Sequence, residues 1–131
     1  MVSVSVVRVL VVDDQPLFRR AMASVVEATH GFAVVGEAGS GEESLDKAAA
    51  LRPDLVLMDV NLPGIDGLEA ARRLGTRAHR PVVVLLSTYD ELDGVRFVAE
   101  SGAAAYVTKS AFGPDRLAAA WAATGATAFD R

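Results

Sequence analysis

Acidic side chains directly follow two apolar stretches of this sequence. Asp13 and Asp14 come after residues 9–12, and Asp59 comes after residues 55–58. Short apolar runs bounded by turn signals predict strands that are buried on both faces. If the two strands are parallel neighbours, the three carboxylates meet at one edge of a sheet and raise one another's pKa. A hard divalent cation with oxygen ligands would relieve this repulsion, so the pattern predicts a Mg2+ site.

Two further apolar stretches end next to a polar side chain. Ser87 ends the run 81–87, and Lys109 follows residues 103–108. Because ligands of open parallel sheets bind outside the carboxyl ends of the strands, we expect Ser87 and Lys109 beside the carboxylates. A serine that caps a turn and a lysine that merely ends a strand are the plain alternatives. The combined order of acidic pair, aspartate, serine and lysine, each at a strand end, favours one site.

The chemistry that these residue types support is phosphoryl transfer. We expect Asp14 and Asp59 to hold Mg2+, or Mn2+ in its place, and Asp13 to act on the ion through water. The ion would bridge to a phosphoryl group. Lys109 would place a positive charge on one phosphoryl oxygen, and Ser87 would donate its hydroxyl to another. Asp59 itself would be the nucleophile and would form an aspartyl phosphate.

Five predicted strands alternate with five predicted helices along the chain. The predicted strands are residues 6–12, 32–37, 55–59, 81–87 and 103–108, and the predicted helices are residues 16–30, 41–51, 67–74, 91–101 and 115–124. Strict alternation predicts a parallel sheet with right-handed crossovers and helices on both faces. The predicted fold class is therefore a doubly wound α/β domain.

Three helices carry further signals. Ser40 and Glu43 have the spacing of a capping box that opens the second helix, and Gly94 makes the fourth helix a weak one. The first helix is expected to have one apolar face, formed by Leu17, Phe18, Ala21, Met22, Val25 and Val26.

The last helix has the composition of an association surface. Leu117 and Trp121, four residues apart, can face the sheet, whereas the other sides carry alanine with little polar besides Arg116. A helix that faces water on one side normally shows a charged stripe. An alanine-rich surface that simply favours helix formation is the alternative. We expect this face to pack against a second copy of the domain or against an output domain.

Length and composition limit the kind of protein. With 131 residues, 51% of them apolar and 23% charged, the chain fits one globular domain. No apolar run approaches the roughly 18 residues of a membrane span and no signal peptide is recognised, so we expect a cytoplasmic protein without membrane contacts. The absence of cysteine excludes disulfides and thiolate metal sites. A net charge of -4 gives no reason to expect direct nucleic-acid binding.

Four segments of the chain form a known pattern when taken together: VLVVDDQP, DLVLMDVNLPGIDGLE, LLST and AAYVTKS. They resemble the receiver domain of two-component response regulators, and the resemblance covers residues 6–124. It implies the flavodoxin-like receiver fold, with five parallel strands in the order 2-1-3-4-5. It also implies that Asp59 accepts a phosphoryl group from a sensor histidine kinase. Asp14, Asp59 and the backbone carbonyl of Asn61 would bind Mg2+, with Asp13 assisting.

The resemblance also bears on regulation. Ser87 and Tyr106 look like the switch pair, in which the hydroxyl moves to the phosphate and the aromatic ring turns inward. The segment GFAVVGEAGSGEES and the ending KSA are most similar to the subfamily with a C-terminal LuxR-type helix-turn-helix domain, which implies transcription regulation. No such domain follows Arg131, so residues 1–131 are expected to be a single receiver domain that is either free-standing or part of a longer protein. In the second case it would meet DNA only through the absent output domain. The chain would be a switch, not a turnover enzyme.

Two positions depart from the family pattern. Ser110 stands where proline is most common, so we expect a trans peptide bond after Lys109. Thr88 stands where alanine or glycine is common, which would narrow the space around Ser87.

The alternative function is a Mg2+-dependent phosphatase of the haloacid dehalogenase type, which also forms an aspartyl phosphate at a strand end. That class needs a second aspartate two residues after the nucleophile, where this chain has Asn61, and a cap domain for which there is no room. A flavin-binding domain of similar topology would not explain the carboxylates or Lys109. Dinucleotide and P-loop functions lack their glycine-rich loops.

Overall fold

The computed structural model describes residues 5–129. Strands and helices alternate as predicted, in the order β1 Val7–Val12, α1 Pro16–Glu27, β2 Phe32–Ala38, α2 Gly41–Leu51, β3 Leu55–Asp59, α3 Gly67–Leu74, β4 Val82–Ser87, α4 Glu91–Ser101, β5 Ala105–Thr108 and α5 Pro114–Ala123. A 3-10 turn, which the sequence did not indicate, occupies Lys109–Ala111 between β5 and α5.

The five strands form one parallel sheet in the order β2-β1-β3-β4-β5. This confirms the predicted doubly wound architecture and its strand order. Val12 pairs with Met58, so the residues that follow β1 lie beside Asp59 at the end of β3. Ser87 at the end of β4 pairs with Thr108, which precedes Lys109. The register therefore brings the predicted polar strand ends to one rim.

The core has two layers, one on each face of the sheet. One cluster of buried side chains lies under α2, α3 and α4, and the other lies under α1 and α5. All five residues of β3 are buried, as its continuous apolar sequence predicts for a central strand. Each of its fully buried leucines contributes about 1.5–3 kcal/mol by leaving water. This burial fixes the strand that carries Asp59.

The predicted apolar face of α1 is wrong in part. Met22 and Val26 are buried, but Leu17 is 85% exposed and Ala21 is also exposed. At about 100° per residue, Leu17 lies roughly 140° around the helix from Met22 and so faces away from the sheet. A helix with 3.6 residues per turn presents only a narrow stripe of side chains to the sheet. The six residues predicted for the apolar face cannot all lie on that stripe.

The other predicted helix features agree with the structure. The Ser40 hydroxyl accepts a hydrogen bond from the Glu43 N–H at 3.0 Å, and the Glu43 carboxylate accepts one from Gly39 at 2.6 Å. The Ser40 bond caps α2 as predicted, whereas the Glu43 carboxylate reaches the N–H of Gly39 and not that of the N-cap residue Ser40. The peptide bond between Lys109 and Ser110 is trans, as predicted. Within residues 5–129, no helix is both long enough and apolar enough to cross a membrane.

Candidate functional site

A polar cavity of about 250 Å³ lies at the carboxyl ends of the strands. It is lined by Asp14, Gln15, Phe18, Asp59, Asn61, Ser87, Thr88 and Lys109. The structure thus brings together five residues that the sequence singled out for the site, Asn61 among them for its backbone carbonyl, with Thr88 beside them. Asp13 lies underneath the cavity and is fully buried. Tyr106 does not line it.

Three carboxylates converge at this rim. Asp13, Asp14 and Asp59 each offer an oxygen within 4.8 Å of the others. One Asp13 oxygen accepts a hydrogen bond from the Gln15 N–H at 2.9 Å. Within the described residues the other oxygen, Oδ2, has no hydrogen bond and lies 2.9 Å from the Lys109 ammonium, an ionic contact without hydrogen-bond geometry. The rim therefore has more negative charge and acceptor capacity than its own donors satisfy, and this fits a divalent cation.

The environment of Asp59 disfavours its charged form. Its side chain is almost completely buried, and burial raises the pKa of Asp59 from 3.8 to about 6. The negative charge of Asp13 acts in the same direction, whereas the Lys109 ammonium lowers the pKa. A long hydrogen bond of 3.4 Å from the Asn61 N–H also lowers it. Asp59 is thus a weakly stabilised carboxylate that is still ionised at neutral pH.

Lys109 is held among the carboxylates by the backbone. It begins the 3-10 turn directly after β5, and its side chain is only 9% exposed. The ammonium lies 2.9 Å from Asp13 Oδ2 and 3.5 Å from Asp59 Oδ2. It also lies 4.2 Å from the centre of the Phe18 ring, a cation–π contact. The cation bridges the two buried carboxylates.

A chain of hydrogen bonds connects the rim with β5. The buried Ser87 hydroxyl accepts a bond from the Asn61 side-chain amide at 3.4 Å, and the Tyr89 hydroxyl donates to Asn61 Oδ1 at 3.5 Å. The Tyr106 hydroxyl donates to the Tyr89 carbonyl at 2.5 Å. The Tyr106 ring also packs edge-on against Phe97 of α4. Ser87 and Tyr106, the predicted switch pair, are therefore linked through Asn61 and Tyr89.

Two glycines support the site in ways that sequence reasoning missed. A Cβ on Gly67 would lie 2.0 Å from the Asp59 carbonyl oxygen, so the close approach of α3 to the end of β3 requires glycine. A Cβ on Gly94 would lie 2.1 Å from the Tyr106 ring. The residue that weakens α4 as a helix makes space for that ring. The unfavourable helix propensity of Gly94 was the only sequence signal of this contact.

The sheet order and the acidic crevice at the strand ends define a doubly wound α/β domain of the flavodoxin-like type. The family model of the response regulator receiver domain matches residues 9–122. The chain belongs to this family, whose members are phosphorylation-controlled signalling switches.

Individual relatives agree with this assignment. The chain is 49% identical over 106 residues to the response regulator GacA of Pseudomonas viridiflava, a match that covers 80% of this chain and 49% of that protein. It is 36% identical over 104 residues to the transcriptional regulatory protein LiaR of Bacillus subtilis, which covers 79% and 49%. The chain thus spans about half the length of these curated relatives.

A solved structure shows the same fold. The signal receiver domain of NarL from Mycobacterium tuberculosis superposes with a TM-score of 0.84 at 31% identity. The match covers 94% of this chain and 99% of that one. The similarity therefore extends over nearly the whole described domain.

Proposed function

We propose that Asp59 accepts a phosphoryl group from the phosphohistidine of a sensor histidine kinase in a Mg2+-dependent reaction. The observation that carries this proposal is the state of Asp59: a buried carboxylate whose pKa is raised to about 6, next to a lysine and two further carboxylates. A nucleophile must be ionised but weakly stabilised, and this environment supplies both conditions.

The side chains of the rim have separate roles in the transfer. An Asp59 oxygen attacks phosphorus, and the bond from phosphorus to the leaving imidazole nitrogen breaks with its electron pair returning to the imidazole. The Lys109 ammonium, which already lies 3.5 Å from Asp59, compensates charge on the transferring oxygens. Ser87 turns its hydroxyl from Asn61 to a phosphoryl oxygen. The product is an aspartyl phosphate.

The metal ligands in this proposal are Asp14, Asp59 and the backbone carbonyl of Asn61, with Asp13 acting through water. Asp13 Oδ2, which accepts no hydrogen bond within the described residues, and the exposed Asp14 carboxylate support this set. These oxygens would hold Mg2+ or Mn2+, which would supply positive charge to offset the repulsion among the carboxylates and the phosphoryl group. Without that charge, Asp14 and Asp13 would repel the incoming group.

The proposed output is regulation of transcription. LiaR is named a transcriptional regulatory protein, and a structural neighbour at 32% identity belongs to the LuxR family. We infer that phosphorylation changes the Ser87–Tyr106 link and the association surface on α5. This segment would contact DNA only through an output domain elsewhere in a longer protein, and it would act in the cytoplasm. The α5 partner would be a second copy of the domain or that output domain.

A switch is also favoured over an enzyme that turns over an external substrate. The haloacid dehalogenase alternative has no support from the family match, and Asn61 occupies the position where that class needs its second aspartate. Residues 1–131 would therefore work as a single receiver domain that catalyses only its own phosphorylation and dephosphorylation.

One experiment tests the proposal against this alternative. The protein is incubated with acetyl phosphate and Mg2+, its intact mass is measured, and release of inorganic phosphate is followed in parallel. We expect a single phosphoryl adduct that decays slowly. Rapid multiple-turnover release of phosphate, without an adduct that survives for mass measurement, would favour the phosphatase and contradict the switch.

A further inference from the structure

Phe18 has no part in the proposed phosphoryl transfer, yet its ring contacts the Lys109 ammonium, which does. The residue is in the first turn of α1 and is 39% exposed. The Lys109 ammonium lies 4.2 Å from the ring centre, well within the roughly 6 Å range of a cation–π contact. The next residue toward the N-terminus, Leu17, is 85% exposed. Phe18 is therefore turned toward the rim where its neighbour is turned toward water.

We propose that Phe18 is a positioning residue that holds the Lys109 ammonium at the two buried carboxylates. Asp13 and Asp59 attract the ammonium from one side, at 2.9 and 3.5 Å, and the ring contacts it as well. Lysine has a flexible four-carbon stem and a strongly hydrated charge, so its ammonium readily turns toward water. The ring contact favours the conformer in which the charge stays at the rim.

Phe18 lies between the polar cavity and a small apolar pocket. Phe18 lines the polar cavity with Asp59, and it also lines a small apolar pocket of about 70 Å³ with Met22 and Phe112. The ring thus contacts the Lys109 ammonium, and it also faces an apolar pocket lined by residues of α1 and of the segment before α5. This place between a polar cavity and an apolar pocket suits an aromatic side chain.

The consequence for chemistry rests on the proposed phosphoryl transfer to Asp59. If Lys109 is ordered before the donor arrives, the barrier does not include the loss of its side-chain freedom. If the ring is removed, the ammonium samples solvent-facing conformers and must return for each transfer. Phosphorylation should then slow, while Mg2+ binding at the carboxylates should not weaken, because the ring contacts the Lys109 ammonium, which is not a proposed metal ligand.

The direct test is an NMR measurement that does not depend on phosphorylation. The ε-methylene protons of Lys109, assigned with a Lys109→Arg control, should be shifted upfield by the ring current of Phe18. The shift should disappear in Phe18→Leu, which keeps an apolar side chain without a ring, and persist in Phe18→Tyr. An unchanged lysine signal in Phe18→Leu would overturn the proposal whatever the fate of Asp59.

The kinetic test uses acetyl phosphate at saturating Mg2+. Phe18→Leu should lower the phosphorylation rate about fivefold, and Phe18→Tyr should restore it to within about twofold of the wild type. Leu17→Ala is the matched control on the exposed side of the same helix turn, and it should leave the rate unchanged. The concentration of Mg2+ at half-saturation should be the same in all four proteins.

A double-mutant cycle separates positioning from simple access to the cavity. In a Lys109→Ala background, Phe18→Leu should cause no further loss, because the cation that the ring positions is gone. An equal fivefold loss in that background would mean that the ring acts on access and would overturn the proposal. If the wild type forms no adduct on Asp59, the proposed function fails, and the NMR result alone then decides whether Phe18 positions Lys109.

Discussion

Two buried aspartates at opposite ends of β3 have opposite environments. Asp54 precedes the strand and is 1% exposed; Asp59 ends it and is 3% exposed. One Asp54 oxygen accepts a hydrogen bond from the Arg8 N–H at 2.8 Å, and the other accepts one from the Phe129 N–H at 2.7 Å. Asp59 has a hydrogen bond of 3.4 Å and an ion pair at 3.5 Å instead. The two aspartates are about equally buried, but they differ in the number and length of their hydrogen bonds.

The comparison shows what makes a buried carboxylate available for chemistry. Short bonds from two backbone N–H groups tie Asp54 to the first strand and to the segment after α5. Asp59 faces a polar cavity, and its nearest charges include another carboxylate. The first arrangement stabilises the fold, whereas the second leaves lone pairs free for a cation and a phosphoryl group.

The largest expected effect separates the two aspartates by reactivity. Asp59→Asn keeps the shape of the side chain but removes the nucleophile, so the phosphoryl adduct formed with acetyl phosphate and Mg2+ should disappear from the intact mass. Asp54→Asn is the matched control, because five strand residues place it roughly 16 Å away. Its adduct should form at a rate within about twofold of the wild type. An adduct of undiminished yield on Asp59→Asn would refute the assignment.

The second effect concerns the Lys109 ammonium at the Asp59 end of β3. Lys109→Ala should slow phosphorylation about 100-fold, the usual size for loss of a group that stabilises transition-state charge. Mg2+ binding, followed by titration calorimetry, should persist, because Lys109 is not a proposed ligand. A collapse of Mg2+ affinity in this variant would instead give Lys109 a structural role.

The third effect is on stability, and it has opposite signs at the two ends. The pKa of Asp59 is about 6 in the folded protein and 3.8 ordinarily, so above pH 6 the native state holds a charge that it disfavours. Asp59→Asn should therefore raise the free energy of unfolding at pH 7.5 by on the order of 2 kcal/mol, after allowance for solvent screening. Asp54→Asn should lower it by about 1–3 kcal/mol, because an amide cannot accept from both backbone N–H groups.

Denaturant titrations in a chelator, at several pH values, measure this difference. The gain from Asp59→Asn should shrink as the pH falls from 6 and should vanish below about 4, where the carboxyl is protonated in both states. A gain that stays constant from pH 7.5 to 4 would show that charge is not its cause. Mg2+ should remove part of the gain by stabilising the wild type alone.

The smallest expected effect is on α5. It tests whether phosphorylation at the Asp59 end of β3 changes the association of this helix. Leu117 of α5 is buried, while Ala118, Ala119, Ala122 and Ala123 are exposed. Sedimentation of the wild type should show weak self-association that increases with a phosphoryl mimic and Mg2+. Ala119→Glu with Ala123→Glu should abolish it, because charges would enter the contact.

Ala49→Glu with Ala50→Glu is the matched control for α5, since both residues are exposed on α2. This pair should leave the sedimentation coefficient and its response to the mimic unchanged. A wild type that stays monomeric in both states would remove the homodimer and leave an output domain as the partner of the α5 face. Equal loss of association in both pairs would point to a general charge effect.

The sequence by itself determined the sheet and the membership of the rim. Each strand needs only a short apolar run, and each polar strand end needs only to follow that run, so local order in the chain carries both. For this reason the alternation of elements and the convergence of Asp13, Asp14, Asp59, Ser87 and Lys109 agree with the structure. The strand order, which also agrees, was implied by the resemblance to the receiver family.

Only the tertiary structure decided which buried polar groups have hydrogen-bond or ion-pair partners, and which residues those partners are. The donors to Asp54 lie 46 and 75 residues away in the chain, and no local pattern records such a distance. The same limit applies to Phe18, which the helical period assigned to a plain apolar face and which lies on Lys109 instead. It applies to Gly94, whose missing Cβ matters only because the Tyr106 ring lies over it. The burial of a side chain follows from the local sequence of its strand. Its hydrogen-bond, ion-pair and ring contacts depend on which distant segments of the chain meet in the fold.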